Sequence, residues 1–167
     1  MMPHARNPSR GVELADEIQQ LIESVVADMK VSCRSHVNRP AGSPIPELDM
    51  SLTPEQGDAS PLQVHTDPEG AIITLEFGRD SRIEIATTGW RQTDLPGYRD
   101  EVELLCRSVL AGNILERLWY RDGSILRSEA VLETARGPIT TRHVSSVRGS
   151  SKGGREVVMR YVPYPRH

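Results

Sequence analysis

Two glutamates, Glu116 and Glu129, have the type and spacing that acid–base chemistry needs. They flank Asp122-Gly123, a dipeptide that favours a type I′ hairpin turn because both central residues of that turn need positive φ. If these two residues form the loop, the glutamates lie directly opposite each other on paired strands. Close carboxylates raise the pKa of one of them, which can then act as a general acid. Facing like charges also destabilise a sheet, so we favour an exposed face balanced by arginines over catalysis.

The strand face with both glutamates mixes charged, aromatic and aliphatic side chains, as protein–protein interfaces do. We therefore predict that it binds a protein partner. The predicted face comprises Glu116, Leu118, Tyr120, Ile125, Arg127, Glu129 and Arg142. The opposite face, on which Trp119 faces Leu126, is mostly apolar and is predicted to belong to the core.

Other catalytic patterns are weaker. His143 is predicted to lie on the core side of its strand, where a hydrogen-bonded structural role is favoured over a general base. No serine has the G-x-S-x-G context, and neither Cys33 nor Cys106 has the surroundings of a known nucleophile. The ligand clustering of a metal site is absent. We predict a protein without enzymatic activity, cofactor or metal, with a small enzyme using Glu116 and Glu129, or His143, as the alternative.

The C-terminal segment is rich in arginine. Arg148, Lys152 and Arg155 are predicted to contact phosphate or an acidic partner, since basic side chains bind phosphates by charge. A nucleic-acid-binding protein is therefore another alternative. It is less favoured, because few aromatic side chains accompany the arginines and no known nucleic-acid-binding motif is present.

The pattern of helices and strands that would position these residues predicts an α+β fold. Residues 12–31 have a helical period, with apolar side chains on one stripe. Residues 32–61 contain five prolines and predict a Pro-rich linker that tethers this helix. Residues 62–167 predict a domain in which six to seven strands form an antiparallel meander sheet that packs one helix, residues 98–111, with Gly112 after its end. The N-terminal unit is thus residues 1–31.

The charge is unevenly distributed along the chain. Residues 1–103 hold 18 of the 23 acids, whereas residues 104–167 hold 11 of the 20 bases. An acidic helix or tether that rests on a basic sheet would explain this distribution within one molecule, and a protein partner would explain it between molecules. The helix of residues 12–31 could also pack on a second copy.

The composition narrows the class of protein. No stretch approaches the roughly 18 apolar residues of a membrane span, and the first residues lack the apolar run of a signal peptide. We therefore expect a cytoplasmic protein with no membrane contact. Arginine outnumbers lysine strongly, which favours a bacterial, GC-rich source. The function that we favour is a protein-binding module of the immunity-protein, secretion-chaperone or adaptor type.

Overall fold

The computed structural model describes residues 8–87, 97–144 and 154–167, and these residues form an α+β fold. The predicted class is confirmed, although nine strands form two antiparallel sheets instead of six to seven strands in one sheet. In chain order the elements are α1 (Pro8–Met29), β1 (Cys33–Val37), β2 (Asp49–Pro54), β3 (Leu62–Thr66), β4 (Ile72–Phe77), β5 (Ser81–Ala86), α2 (Tyr98–Leu110), β6 (Ile114–Arg121), β7 (Ser124–Thr134), β8 (Gly137–Val144) and β9 (Arg155–Arg160).

The five-stranded sheet has the order β1-β2-β3-β4-β5 and includes part of the predicted linker. Its strand β2 places Met50 and Leu52 in the core, opposite Val64 and Leu62 of β3. Residues 32–61 are therefore not simply an extended connector, since they contribute two paired strands. The prolines lie in the loops around these strands or at the end of β2, where a missing N–H does not interrupt the ladder.

Helix α1 buries its apolar stripe within its own chain. Ile18, Ile22 and Val25 are almost completely buried, and α1 packs against α2 and β3. The helix extends from Pro8 to Met29 and so begins before the predicted range of residues 12–31. The apolar stripe of α1 is therefore covered by its own chain. Neither helix of the described residues is long and apolar enough to span a membrane.

Helix α2 contacts both sheets, through β5 and β7, as well as α1. Its buried side chains include Val102, Leu105 and Cys106, and burial raises the pKa of the Cys106 thiol to about 12. Gly112 follows the helix with φ +72°, as predicted for a glycine at this position. A Cβ on Gly112 would lie 2.5 Å from the backbone of Val162 and Pro163, so the close approach of the C-terminal segment also requires glycine.

The four-stranded sheet has the order β8-β7-β6-β9 and carries the residues of the predicted site. Strand β8 lies beside β5, so the two sheets meet at these edges. Residues 145–153, which include the predicted contact residues Arg148 and Lys152, lie outside the described residues.

We expect the substitution Ile22→Ala to lower the free energy of unfolding by about 2–5 kcal/mol, because it removes a fully buried side chain from the α1 interface. Gln20→Ala, at an exposed position of the same helix, is the control and should change it by less than about 0.5 kcal/mol. Urea denaturation followed by circular dichroism measures both. Equal effects of the two substitutions would contradict the packing of α1 in this core.

Candidate functional site

The β6–β7 hairpin contains one extra residue that the sequence does not reveal. Tyr120 pairs with Ile125 next to the turn, but the following pair is Trp119 with Arg127 and not the predicted Trp119 with Leu126. Leu126 is therefore left unpaired in a β-bulge. Beyond the bulge, each β6 residue pairs with the β7 residue one position later than predicted. Each face of β6 therefore meets the β7 side chains that were predicted to lie on the other face.

The shifted register separates the two glutamates. Glu116 pairs with Ala130, and Glu129 pairs with Arg117, so the predicted pairing of Glu116 with Glu129 is wrong. We call the side of the four-stranded sheet that carries Glu116 the inner face and the side that carries Glu129 the outer face. Carboxylates on opposite faces do not share a proton, and the acid–base pair is not formed.

Glu116 is fully buried and is bound by the turn between β4 and β5. Its Oε1 accepts hydrogen bonds from the backbone N–H of Asp80 at 3.0 Å and the Ser81 hydroxyl at 2.7 Å. Its Oε2 accepts from the backbone N–H of Arg79 at 2.9 Å and the Tyr161 hydroxyl at 2.6 Å. A buried carboxylate is stable when donors surround it in this way, so Glu116 joins the two sheets.

Two neighbours show how tightly the Glu116 carboxylate is enclosed. A Cβ on Gly78 would lie 2.7 Å from Oε2 of Glu116, and Gly78 has φ +65°, so the turn requires glycine here. Burial, followed by the hydrogen bond to Glu116, raises the pKa of Tyr161 far above its ordinary value. The phenol thus remains a proton donor to the carboxylate. These contacts are structural and leave Glu116 no access to a substrate.

Other predicted surface residues of β6 also lie on the inner face. Leu118 is fully buried, and Tyr120 is half-buried beside Arg155, its partner on β9. Leu118 and Glu116 therefore cannot belong to an exposed binding face. Arg155 is exposed. Arg148 and Lys152 lie outside the described residues.

The outer face brings together three of the predicted residues, Arg127, Glu129 and Arg142. Glu129 forms ion pairs with both arginines, and its distance to Arg142 Nε is 2.7 Å. The hydrogen bond from Arg127, with the charges of both arginines, holds the pKa of Glu129 below its ordinary value. The Arg127 guanidinium also lies 4.5 Å from the ring centroid of Trp119, in a cation–π contact.

Apolar side chains that we predicted to be core lie on this same outer face. Trp119 and Leu115 of β6 are half-buried, and Val144 at the end of β8 is 62% exposed. We define the outer patch by its residues: Leu115, Arg117, Trp119, Arg127, Glu129, Val131, Arg142 and Val144. Sequence reasoning assigned the β6 members to the wrong side because both faces of this strand carry apolar residues.

His143 lies on the inner side of β8, as predicted, but its side chain is 54% exposed. Its Nδ1 is 3.1 Å from Oδ2 of Asp80, at a cleft of about 250 Å³ that Glu76 and Arg82 also line. Ser128, the cross-strand neighbour of His143, is buried and donates its hydroxyl to the backbone carbonyl of Asp80. The hydroxyl is thus bound in a structural contact and does not form a nucleophile–base pair.

Within the described ranges, no group of three or more His, Cys, Asp or Glu side chains could hold a metal ion. The ion pairs of α1 join Asp16 with Arg39, Glu17 with Arg99 and Asp28 with Arg107. The acids of α1 in these pairs thus contact arginines outside the four-stranded sheet, and the expectation that they rest on the basic sheet is not met there.

No family model matches this sequence, and no curated protein or solved structure matches it.

We expect Glu116→Gln to lower the free energy of unfolding by about 2–3 kcal/mol, because an amide cannot accept hydrogen bonds at both ends and one donor loses its acceptor. Tyr161→Phe should cost about 1.5–3 kcal/mol, the value of a hydrogen bond to a charged group. Urea denaturation of both variants and of the double variant measures their coupling.

Glu129→Gln is the matched control for these measurements, because Glu129 belongs to the neighbouring strand but forms its ion pairs on the outer face. Its effect should stay below about 1 kcal/mol, as is usual for partly exposed ion pairs. A Glu116→Gln variant as stable as Glu129→Gln would contradict the structural role of Glu116.

Proposed function

We propose that this chain is a non-enzymatic protein-binding module that binds its partner through the outer patch. The observation that carries the proposal is a solvent-facing sheet surface on which Trp119 and three aliphatic side chains surround an arginine–glutamate network. The buried residues of β6 and β7 all lie on the inner face, where α2 packs, so the described helices leave the outer patch uncovered.

The side chains at the centre of the patch are held in place before any partner binds. Arg127 contacts the Trp119 ring and Glu129 at once, and Glu129 also binds Arg142. Immobilising a long side chain on binding costs about 0.5–1.5 kcal/mol, so side chains that are already fixed reduce this cost. Tryptophan and arginine are also the residue types that contribute most binding energy at interfaces.

The charge of the patch indicates the chemistry of the partner. The patch contains three arginines and one glutamate, and the exposed Arg117 faces Glu129, whose charge Arg127 and Arg142 already balance. A partner with an apolar centre and carboxylates at its margin would complement this surface. Adaptors, secretion chaperones and immunity proteins are small proteins that act by covering a surface of their partner, and we propose that this chain does the same.

The inner-face contacts support a binding role over catalysis. Glu116 is enclosed by hydrogen-bond donors, and its carboxylate lies on the other face from that of Glu129. The alternative that depends on this carboxylate pair therefore loses its geometric basis. His143 retains a cleft, but its contact there is with Asp80 on the surface.

We expect Val144→Asp and Trp119→Ala each to weaken binding of the partner by about 30-fold, the effect of losing an interface anchor worth about 2 kcal/mol. The partner is first captured from a lysate of the source organism with the wild-type chain and identified by mass spectrometry. It is then purified and titrated calorimetrically against each variant.

The matched control is Arg34→Glu, which changes an exposed residue of the five-stranded sheet and should leave the affinity unchanged. Circular dichroism confirms that each variant is folded. A purified partner that binds wild type and both outer-patch variants equally would overturn the proposal, as would capture of nucleic acid in place of protein.

A further inference from the structure

Strand β9 is an edge strand with an open side. It ends the strand order of the four-stranded sheet, and among the residues that the structure describes β6 is its one strand partner. The Tyr161 N–H donates to the Ile114 carbonyl of β6, whereas the next residue, Val162, donates its N–H to Asp58 on the other side. In an antiparallel ladder these directions alternate. Glu156, Val158 and Arg160 therefore direct their N–H and C=O groups away from β6.

The open stretch has clear limits and an apolar centre. The turn that contains Asp58 and Ala59 already pairs with Val162, so pairing positions begin at Arg160 and extend back through Val158 to Glu156. Val158 is 53% exposed, although it is an aliphatic residue in the middle of the strand. A groove of about 850 Å³ runs along this stretch.

Edge strands are usually protected from pairing with other chains by proline, bulges, charged side chains or short length. Strand β9 (REVVMR) has no proline and no register shift in its pairing with β6, and its charged residues Glu156 and Arg160 have opposite signs, so they oppose a strand of one charge but match a second copy of β9. The opposite edge strand, β8, carries Pro138. The two edges of this sheet therefore differ in how they resist pairing.

We infer that β9 pairs antiparallel with β9 of a second copy of this chain and joins two four-stranded sheets into one. In a β9–β9 pair, the residues whose N–H and C=O groups point away from β6 must lie opposite each other. These residues alternate along β9, so the two-fold axis must pass through one residue and not between two neighbours. The register centred on Val158 uses the whole open stretch. It places Val158 opposite Val158, and Glu156 of each copy opposite Arg160 of the other.

This register is self-complementary in charge and in apolar contact. Opposite charges directly across a strand pair stabilise it, and the two-fold axis makes each such pair occur twice. On the inner face the same register sets Val157 against Met159 of the other copy. An extended peptide whose charged residues are all acidic could also pair with the outward N–H and C=O groups of β9. It would place an acidic side chain opposite Glu156, so a second copy of β9 fits better.

The pairing goes beyond the proposed partner binding, because it uses the β9 edge and leaves the outer patch open. The test measures the mass of the full chain by sedimentation over a range of concentrations up to about 0.5 mM. The wild type should approach twice its chain mass of 18.6 kDa. A wild-type chain that stays monomeric over this range would overturn the inference.

Charge reversal tests the register. Glu156→Arg sets Arg opposite Arg twice in the dimer, and Arg160→Glu sets Glu opposite Glu twice, so each should raise the dimer dissociation constant about tenfold or more. The double variant E156R/R160E recreates both attractive pairs and should restore the wild-type constant. Glu133→Arg, an exposed reversal near the end of β7, is the matched control and should change nothing. Single reversals without effect, or a double variant that fails to recover, would overturn the register.

A backbone variant tests the strand pairing itself. Val158→Pro removes an outward N–H, and edge strands tolerate proline at such positions, so the chain should fold as a monomer. If this variant does not fold, slowed amide exchange of Val158 in the wild-type dimer provides the same test. Val144→Asp should leave the dimer intact, even where it abolishes partner binding. A dimer that persists in Val158→Pro, or dissociates in Val144→Asp, would overturn β9 pairing without bearing on the outer patch.

Discussion

The arrangement of the two sheets depends on one buried carboxylate. Glu116 lies in the middle of β6, and the turn that follows β4 supplies most of its hydrogen-bond donors. A charge without donors would be too costly to bury, so the turn and β6 must stay together for the fold to persist. Tyr161 donates to the same carboxylate and thereby holds the segment after β9. The side chains of the inner face are thus used in contacts within the fold, and the outer patch and the β9 edge are the surfaces that we propose for binding.

The sequence predicted the elements better than their registers. Both helices, the turn at Asp122-Gly123 and the role of Gly112 followed from period and turn chemistry. The bulge at Leu126 did not, because β6 carries apolar residues on both faces and its pattern fits either register. The linker prediction missed β1 and β2 for another reason. These strands are short, β1 pairs with β2, and the pairing of β2 with β3 is tertiary, so the prolines between β1 and β2 dominated the local pattern.

Part of the charge asymmetry along the chain is balanced by ion pairs between neighbouring elements. Acids of α1 bind arginines that lie near the helix, while Glu129 binds the arginines next to it on the outer face. Each half of the chain therefore neutralises some of its own charge within a short distance. Arg117 forms no such pair in the part of the chain that the structure describes, so the basic excess persists at the outer patch, where screening by salt would weaken it.

The sign of the charges also assigns different kinds of partner to the two surfaces. A surface that meets its own copy across a two-fold axis must contain groups that attract each other, and β9 offers both Glu156 and Arg160. The outer patch has three arginines and one glutamate, so two copies of it would repel. It therefore suits a different protein. Joining two copies through β9 would place two outer patches on one continuous sheet, and a partner with two acidic sites could then bind both with increased avidity.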